Sequence, residues 1–269
     1  MIRIPEADAS APIFVIEIGN THTTVATWHE EQVKIPVSLP TGNVDKFREV
    51  FDAHADALSN KTSDGLPGAV VIASVVPDFR DAVGKFVWDR IEKDVLVIGE
   101  RLPLPLEVNV EDETQVGVDR VCAAAAAFDQ LETGCIIVDF GTATTVDLVD
   151  DDGVFQGGAI MPGVAMQLKA LHQFTAQLPE VSPVIPESVI GRNTREAMQN
   201  GVCRGIAGAV RGLVEGYATA LNRWPQVVAT GGDLEMLLPA CDFIDTPVKD
   251  LTLRGLGVAY KKHIAQVGL

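Results

Sequence analysis

Two stretches of this chain, far apart in sequence, carry the same set of residues suited to holding a phosphate. Ile13-Phe-Val-Ile-Glu-Ile-Gly-Asn-Thr21 runs into Thr23-Thr-Val-Ala-Thr27, and Cys135-Ile-Ile-Val-Asp-Phe-Gly-Thr-Ala-Thr-Thr-Val-Asp-Leu-Val149 has the same design. Each passes from a β-branched run through an acid, an apolar residue and a glycine into small hydroxyl residues. Glycine lets the backbone approach a ligand closely, and nearby amides with the side chains of Asn20, Thr21, Thr23 and Thr24 can donate hydrogen bonds. The acid can hold a cation. One such hairpin is a weak signal, because glycine turns are common. Two copies, pairing Glu17 with Asp139 and Gly19 with Gly141, plus a third turn at Thr230-Gly-Gly232, are a stronger one.

Other phosphate-binding designs are missing from the sequence: it holds no G-x-x-x-x-G-K-[ST], and no strand leads into G-x-G-x-x-G. A second group with chemical potential is Gly117-Val-Asp-Arg120. Asp119 can accept the proton of an alcohol within hydrogen-bond reach, and Arg120 can anchor a carboxylate or phosphate. The plainer alternative is that Asp119 caps a helix and Arg120 makes a surface ion pair. Asp139, at a strand end, needs a partner for a partly buried charge, either a cation or an amide or arginine. His22 lies inside the first phosphate loop, while His29, His54, His172 and His263 are expected on the surface.

The elements that must position these groups follow from periodicity. Apolar spacing predicts a helix over Asp45–Leu58, and residues 59–68 read as a loop. Ala69–Val76 has the continuous apolar pattern of a strand buried on both faces, Pro77 opens a helix, and Val95–Ile98 is a short strand. An alanine-rich helix runs over Val121–Leu131. The second half repeats strand, hairpin and helix. Its longest helix is expected to start at Asn193 with Glu196 reaching back, then continue towards Leu221 through Gly201, Gly205, Gly208, Gly212 and Gly216. Glycines inside a helix cost about 1 kcal/mol each relative to alanine. Close crossing by another helix, including one from a second subunit, explains them; loops interrupting the helix are the alternative. The expected fold class is α/β, with two similar halves of mixed β-sheet flanked by helices, divided as 1–118 and 119–269.

The chain has 269 residues with 37 acidic against 21 basic side chains, a formal charge of −16. Nucleic acid and anionic membranes both favour basic patches, so neither is an expected partner. With 47% apolar and 22% charged residues there is ample material for a core. Four well-separated cysteines without C-x-x-C spacing read as free, reduced core thiols. Met1–Pro12 lacks the pattern of a secretory signal and no apolar stretch reaches membrane-span length, so a cytoplasmic protein is expected.

An ordered set of motifs then carries a resemblance. Glu-Ile-Gly-Asn-Thr (17–21), Gly-Val-Asp-Arg (117–120), Val-Asp-Phe-Gly-Thr-Ala-Thr-Thr (138–145), Gly157-Gly-Ala-Ile-Met-Pro-Gly163, Gly191-Arg-Asn-Thr194, Thr230-Gly-Gly232 and Asp250-Leu-Thr-Leu-Arg-Gly-Leu256 come in the order seen in type III pantothenate kinases. The match spans residues 13 to about 262. The resemblance implies a duplicated ribonuclease-H-like fold of the actin-like ATPase type, and transfer of the ATP γ-phosphate to the 4′-hydroxyl of pantothenate, the first step of coenzyme A synthesis. By the same resemblance Glu17, Ile18, Gly19, Asn20, Thr21, His22, Thr23 and Thr24 would hold ATP phosphates, with Glu17 near magnesium, and Thr142 would touch ATP. Asp119 would be the general base, while Gly117, Val118, Asp119, Arg120 and Thr194 would contact pantothenate. Asp139 would bind a monovalent cation, potassium or ammonium. Members of the family are dimers with the substrate pocket completed at the interface.

Two positions depart from the family pattern. Its first motif normally opens with Asp, and Glu17 is longer by one methylene, about 1.5 Å of added reach. The segment before Gly117 usually has a Tyr and an Asn-Pro pair, whereas this chain reads Val110-Glu-Asp-Glu-Thr-Gln115. These departures keep two alternatives open: a nucleotide-binding regulatory or transcriptional accessory protein with little catalysis, or a kinase for another small hydroxy acid or sugar.

Overall fold

The computed structural model describes residues 11–58, 62 and 65–267. Expectations for residues 1–10, and part of the loop at 59–68, lie outside the described residues. Two compact units emerge, one of residues 1–107, 111–130 and 250–269, the other of residues 108–110 and 131–249. This differs from a single cut at 118/119: residues 119–130 and the carboxy-terminal helix group with the first unit. Their apolar faces cover the first sheet, so packing assigns them there.

In the first unit, β1 (Ile13–Ile18), β2 (His22–His29) and β3 (Gln32–Pro40) form an antiparallel meander, followed by α1 (Val44–Leu58), β4 (Val70–Ser74), α2 (Pro77–Ile91) and β5 (Val95–Val97). The sheet order is β3-β2-β1-β4-β5, with β4 and β5 parallel to β1. The apolar run of β1 is unbroken because both its faces are buried. Phe14, Ile16 and Ile18 join Phe47, Phe51 and Phe79 on one side, whereas Ile13 and Val15 join Leu253, Leu256 and Tyr260 on the other. Aromatic rings interlock on the first face, Phe14 and Phe51 meeting edge-on at 5.2 Å. The opposite face is covered by α3 (Val118–Leu131) and α7 (Leu251–Val267).

The helices of this unit start where local chemistry predicts. Pro77 occupies the first turn of α2, where its missing N–H has no partner to lose, and Glu92 ends that helix in the left-handed region at φ 53°. His54 corrects the expectation of a surface residue. It is 3% exposed, with Nδ1 2.8 Å from the Val50 carbonyl and Nε2 2.8 Å from the Ile35 carbonyl. Its place on the helical stripe with Phe47, Val50, Phe51 and Leu58 puts it in the core, and two backbone carbonyls meet its polar atoms.

The second unit repeats the topology. β6 (Cys135–Phe140), β7 (Ala143–Val149) and β8 (Phe155–Pro162) form the meander, then α4 (Val164–Gln173), α5 (Thr194–Leu221), β9 (Gln226–Thr230), the short α6 (Leu234–Leu237) and β10 (Thr246–Pro247) follow. The order β10-β9-β6-β7-β8 is that of the first sheet read from its other edge. α5 is one continuous helix of 28 residues, which excludes the loop-interrupted alternative. Asn193 caps it, accepting from Glu196 N–H at 2.9 Å, and Glu196 reaches back to Arg192 N–H at 2.9 Å. A Cβ at Gly201, Gly205, Gly208, Gly212 or Gly216 would meet nothing within 4 Å, so no other helix of the described chain crosses there.

Among the described residues, no helix is long and apolar enough to cross a membrane. All four cysteines are buried and unpaired, as expected from their apolar settings.

Candidate active site

The turn between β1 and β2 is the first phosphate candidate. Glu17 pairs in regular register with Thr24 of β2 and Ala73 of β4, so β1 contains no slip that absorbs its extra methylene. The turn is closed by Gly19 N–H donating to His22 C=O at 3.0 Å. A Cβ on Gly19 would sit 3.1 Å from that oxygen, a tight contact to which the turn would have to yield. Asn20, Thr21 and His22 are exposed, and Thr24 is half-buried. Ile18 and Thr23 are buried: the Ile18 side chain belongs to the core, and the Thr23 hydroxyl lies 2.9 Å from that of Thr41. Those two therefore offer backbone, not side chains, to a ligand.

Gly117-Val-Asp-Arg120 leads into α3, its last three residues already helical. The Asp119 carboxylate folds over the helix start and accepts from Arg120 N–H at 2.9 Å. A Cβ at Gly117 would lie 2.5 Å from the same Asp119 oxygen, so glycine makes room for the acid. Burial pushes the Asp119 carboxyl above the usual carboxylate range, against the opposing pull of the Arg120 amide and charge. Capping uses one oxygen, and a carboxylate has two, so the cap and a proton-accepting role are compatible. Burial, then the charges of Asp119 and Glu17, drives the Cys122 thiol far upward. Both acids thus lie within electrostatic reach of this one buried thiol.

In the second unit, glycines crowd around Asp139. Gly141 would place a Cβ 3.3 Å from Asp139 Oδ1. Gly231, at φ +105°, would place one 2.5 Å from the Phe140 carbonyl carbon and also against the Asp139 carboxylate. Gly163 N–H donates to Thr142 C=O at 3.0 Å, and a Cβ there would meet that oxygen at 2.6 Å. Three motifs quoted from the sequence, at 138–145, 157–163 and 230–232, thus converge on one strand end. Thr142 is exposed beside them, whereas Thr194 is exposed in the first turn of α5. Asp233 was not among the expected residues; its N–H holds Phe140 C=O at 2.9 Å, and burial raises its carboxyl. Its only sequence signal is its place directly after Thr230-Gly-Gly232.

Comparison with known proteins resolves the family. The family model described as type III pantothenate kinase matches residues 13–216. A type III pantothenate kinase of Thermomicrobium roseum is 34% identical over 258 residues, covering 95% of this chain and 99% of the relative. One from Syntrophobacter fumaroxidans is 31% identical, covering 93% and 98%. This chain belongs to the type III pantothenate kinase family. Solved structures show the same fold at low identity. The ethanolamine utilization protein EutJ from Carboxydothermus hydrogenoformans gives a TM-score of 0.53 at 14% identity, covering 92% of this chain and 89% of that one. Component A of (R)-2-hydroxyglutaryl-CoA dehydratase from Acidaminococcus fermentans gives 0.52 at 14%, covering 95% and 100%.

Within this type III pantothenate kinase the departures have defined structures. The segment lacking Tyr is an exposed turn organised by Asp112, which accepts from Thr114 N–H at 3.0 Å, Thr114 hydroxyl at 2.6 Å and Gln115 at 2.7 Å. No cluster of three or more His, Cys, Asp or Glu side chains suited to a metal exists among the described residues. The donors fit ions held otherwise. A single carboxylate at Glu17 suits magnesium shared with substrate phosphates. Asp139, with backbone carbonyls and a cradle that a Gly231 Cβ would fill, suits a weakly charged cation with oxygen ligands.

Proposed function

We propose that Asp119 is the general base of the family's reaction, the ATP-dependent phosphorylation of pantothenate that opens coenzyme A synthesis. The observation carrying this is the Asp119 geometry: a half-buried carboxylate held by Arg120 N–H at 2.9 Å, with Gly117 leaving room for the same oxygen and burial raising the carboxyl. Phosphoryl transfer requires an oriented alcohol and neutralised phosphoryl oxygens rather than a covalent intermediate. Asp119 takes the 4′-hydroxyl proton. Arg120 offers a planar donor fork to the pantothenate carboxylate, supported by Gly117, Val118 and Thr194. Residues 17–24 hold the ATP phosphates, and Thr142 contacts the nucleotide.

Magnesium at Glu17 and potassium or ammonium at Asp139, when bound, supply positive charge that a chain of net charge −16 has little of. The enzyme acts in the cytoplasm as a homodimer. The open glycine face of α5 supports the dimer, because a helix loses stability to such residues unless close packing returns it. A coupled assay with purified protein tests the whole: absence of phosphopantothenate formation with magnesium and potassium or ammonium present, across pantothenate concentrations, refutes it.

A regulatory nucleotide-binding role with little catalysis is the second reading, favoured specifically by Glu17 standing in unshifted register. ATP binding without turnover, with a specific protein partner recovered in pull-down, would establish it. A substrate panel separates the third possibility, another small hydroxy acid or sugar.

A further inference from the structure

We propose that Thr41, just after β3, is the positioning residue that sets the phosphate-binding shape of the 19–22 turn. This rests on the assignment of residues 17–24 to ATP phosphates. Three bonds converge on Thr41. Its hydroxyl donates to Gly19 C=O at 2.7 Å, its N–H donates to Thr21 C=O at 3.0 Å, and the Thr23 hydroxyl lies 2.9 Å from its Oγ1. Because the single Thr41 hydroxyl proton is committed to Gly19, Thr23 is the donor in the third bond.

The consequence follows from peptide geometry. In a trans peptide the C=O and the next N–H point in opposite directions. Drawing the Gly19 and Thr21 carbonyls towards Thr41 therefore turns the Asn20 and His22 N–H groups away from it, on the exposed residues of the turn. Two amides directed alike on a glycine-containing turn are the donors an anion requires. Thr23, which is fully buried, acts in the fold by holding Thr41 rather than by touching the ligand. Removing the Thr41 hydroxyl frees the Gly19–Asn20 peptide to rotate and leaves the Thr23 hydroxyl without its acceptor.

The test is steady-state kinetics and ATP-binding calorimetry on Thr41→Val, Thr41→Ala and Thr41→Ser, with Asn20→Ala as control and melting curves for each. Loss of one hydrogen bond serving a charged ligand predicts a rise in KM and Kd for ATP of about tenfold in Thr41→Val. KM for pantothenate stays unchanged, and Thr41→Ser returns ATP affinity to within about threefold of the parent. If Thr41→Val does not fold, Thr41→Ala set against Thr41→Ser makes the same hydroxyl comparison. A raised ATP KM in Asn20→Ala but not in the hydroxyl-less Thr41 variants overturns the positioning role alone. Unchanged ATP affinity in every variant overturns the phosphate assignment of the hairpin as well. Equal loss in Thr41→Ser and Thr41→Val shows that the hydroxyl is not what matters, and also refutes the proposal.

Discussion

Replacing Gly255 by Ala should impair the proposed general base, Asp119, through the helix that carries it. A Cβ at Gly255 would lie 2.8 Å from Cys122 Cα and nearer still to the Cys122 carbonyl carbon and oxygen. Relaxed contacts between carbons need about 3.5–4.0 Å, so α7 and α3 must separate by about 1 Å. Overpacking of this kind costs about 1–3 kcal/mol, and the upper end applies because the obstacle is backbone rather than a rotatable side chain. Asp119 lies one turn before Cys122 on the same helix, so the displacement reaches it. About 1 Å of misplacement at a reacting group costs about 100-fold in rate. Turnover measured in a coupled assay should fall by that order, while the melting temperature drops by roughly 2–4 °C for each kcal/mol lost. A variant that melts lower but keeps parental kcat would show that α3 does not transmit the strain to Asp119. Parental values for both would refute the packing argument itself.

Other outcomes follow from the same structure. Asp119→Asn should lower kcat by about 10²–10⁴-fold while ATP binding stays near normal in calorimetry. Because burial raises this carboxyl, the folded chain holds its proton to higher pH than the unfolded chain, so stability falls as pH climbs from the ordinary carboxylate range through the raised value. Asp119→Asn therefore melts above the parent at pH 7, and the gap closes in acid below that range. The acid limb of the parental kcat profile should lie above the ordinary carboxylate range. Asn193→Ala should cost about 1 kcal/mol in denaturant melts through loss of the α5 cap. Gly208→Ala should weaken self-association in analytical ultracentrifugation; an unpartnered helix face would gain about 1 kcal/mol instead. The thiols should resist alkylation in the native state, since burial pushes Cys135 to about 12 and Cys241 to about 11.

The duplicated design was legible because each copy writes its strand, acid and glycine in one short run, and the two sheets share a strand order. The Asn193 cap was legible for the same reason, its partner being three residues away. What escaped depends on contacts between distant segments. Thr41 carries no local mark, since its partners Gly19 and Thr23 lie about twenty residues away, in the β1–β2 turn and in β2. His54 looked polar and therefore external, but its ring nitrogens meet carbonyls from α1 and β3 that no window of sequence contains. Gly255 stands in the 250–256 motif with no local reason to be glycine; the reason is the backbone of Cys122.

The return of α7 to the first unit gives synthesis of this chain a direction. Residues 131–249 emerge as one unbroken stretch and can close their own core as soon as β10 is made. The first sheet, made earlier, waits with the face of Ile13 and Val15 covered only by α3 until Leu253, Leu256 and Tyr260 arrive. Exposed apolar surface held through translation is what chaperones recognise and aggregation exploits. The first unit, which carries Asp119, is thus begun before the second and finished after it, so synthesis halted before residue 251 leaves a completed middle and an unfinished first unit.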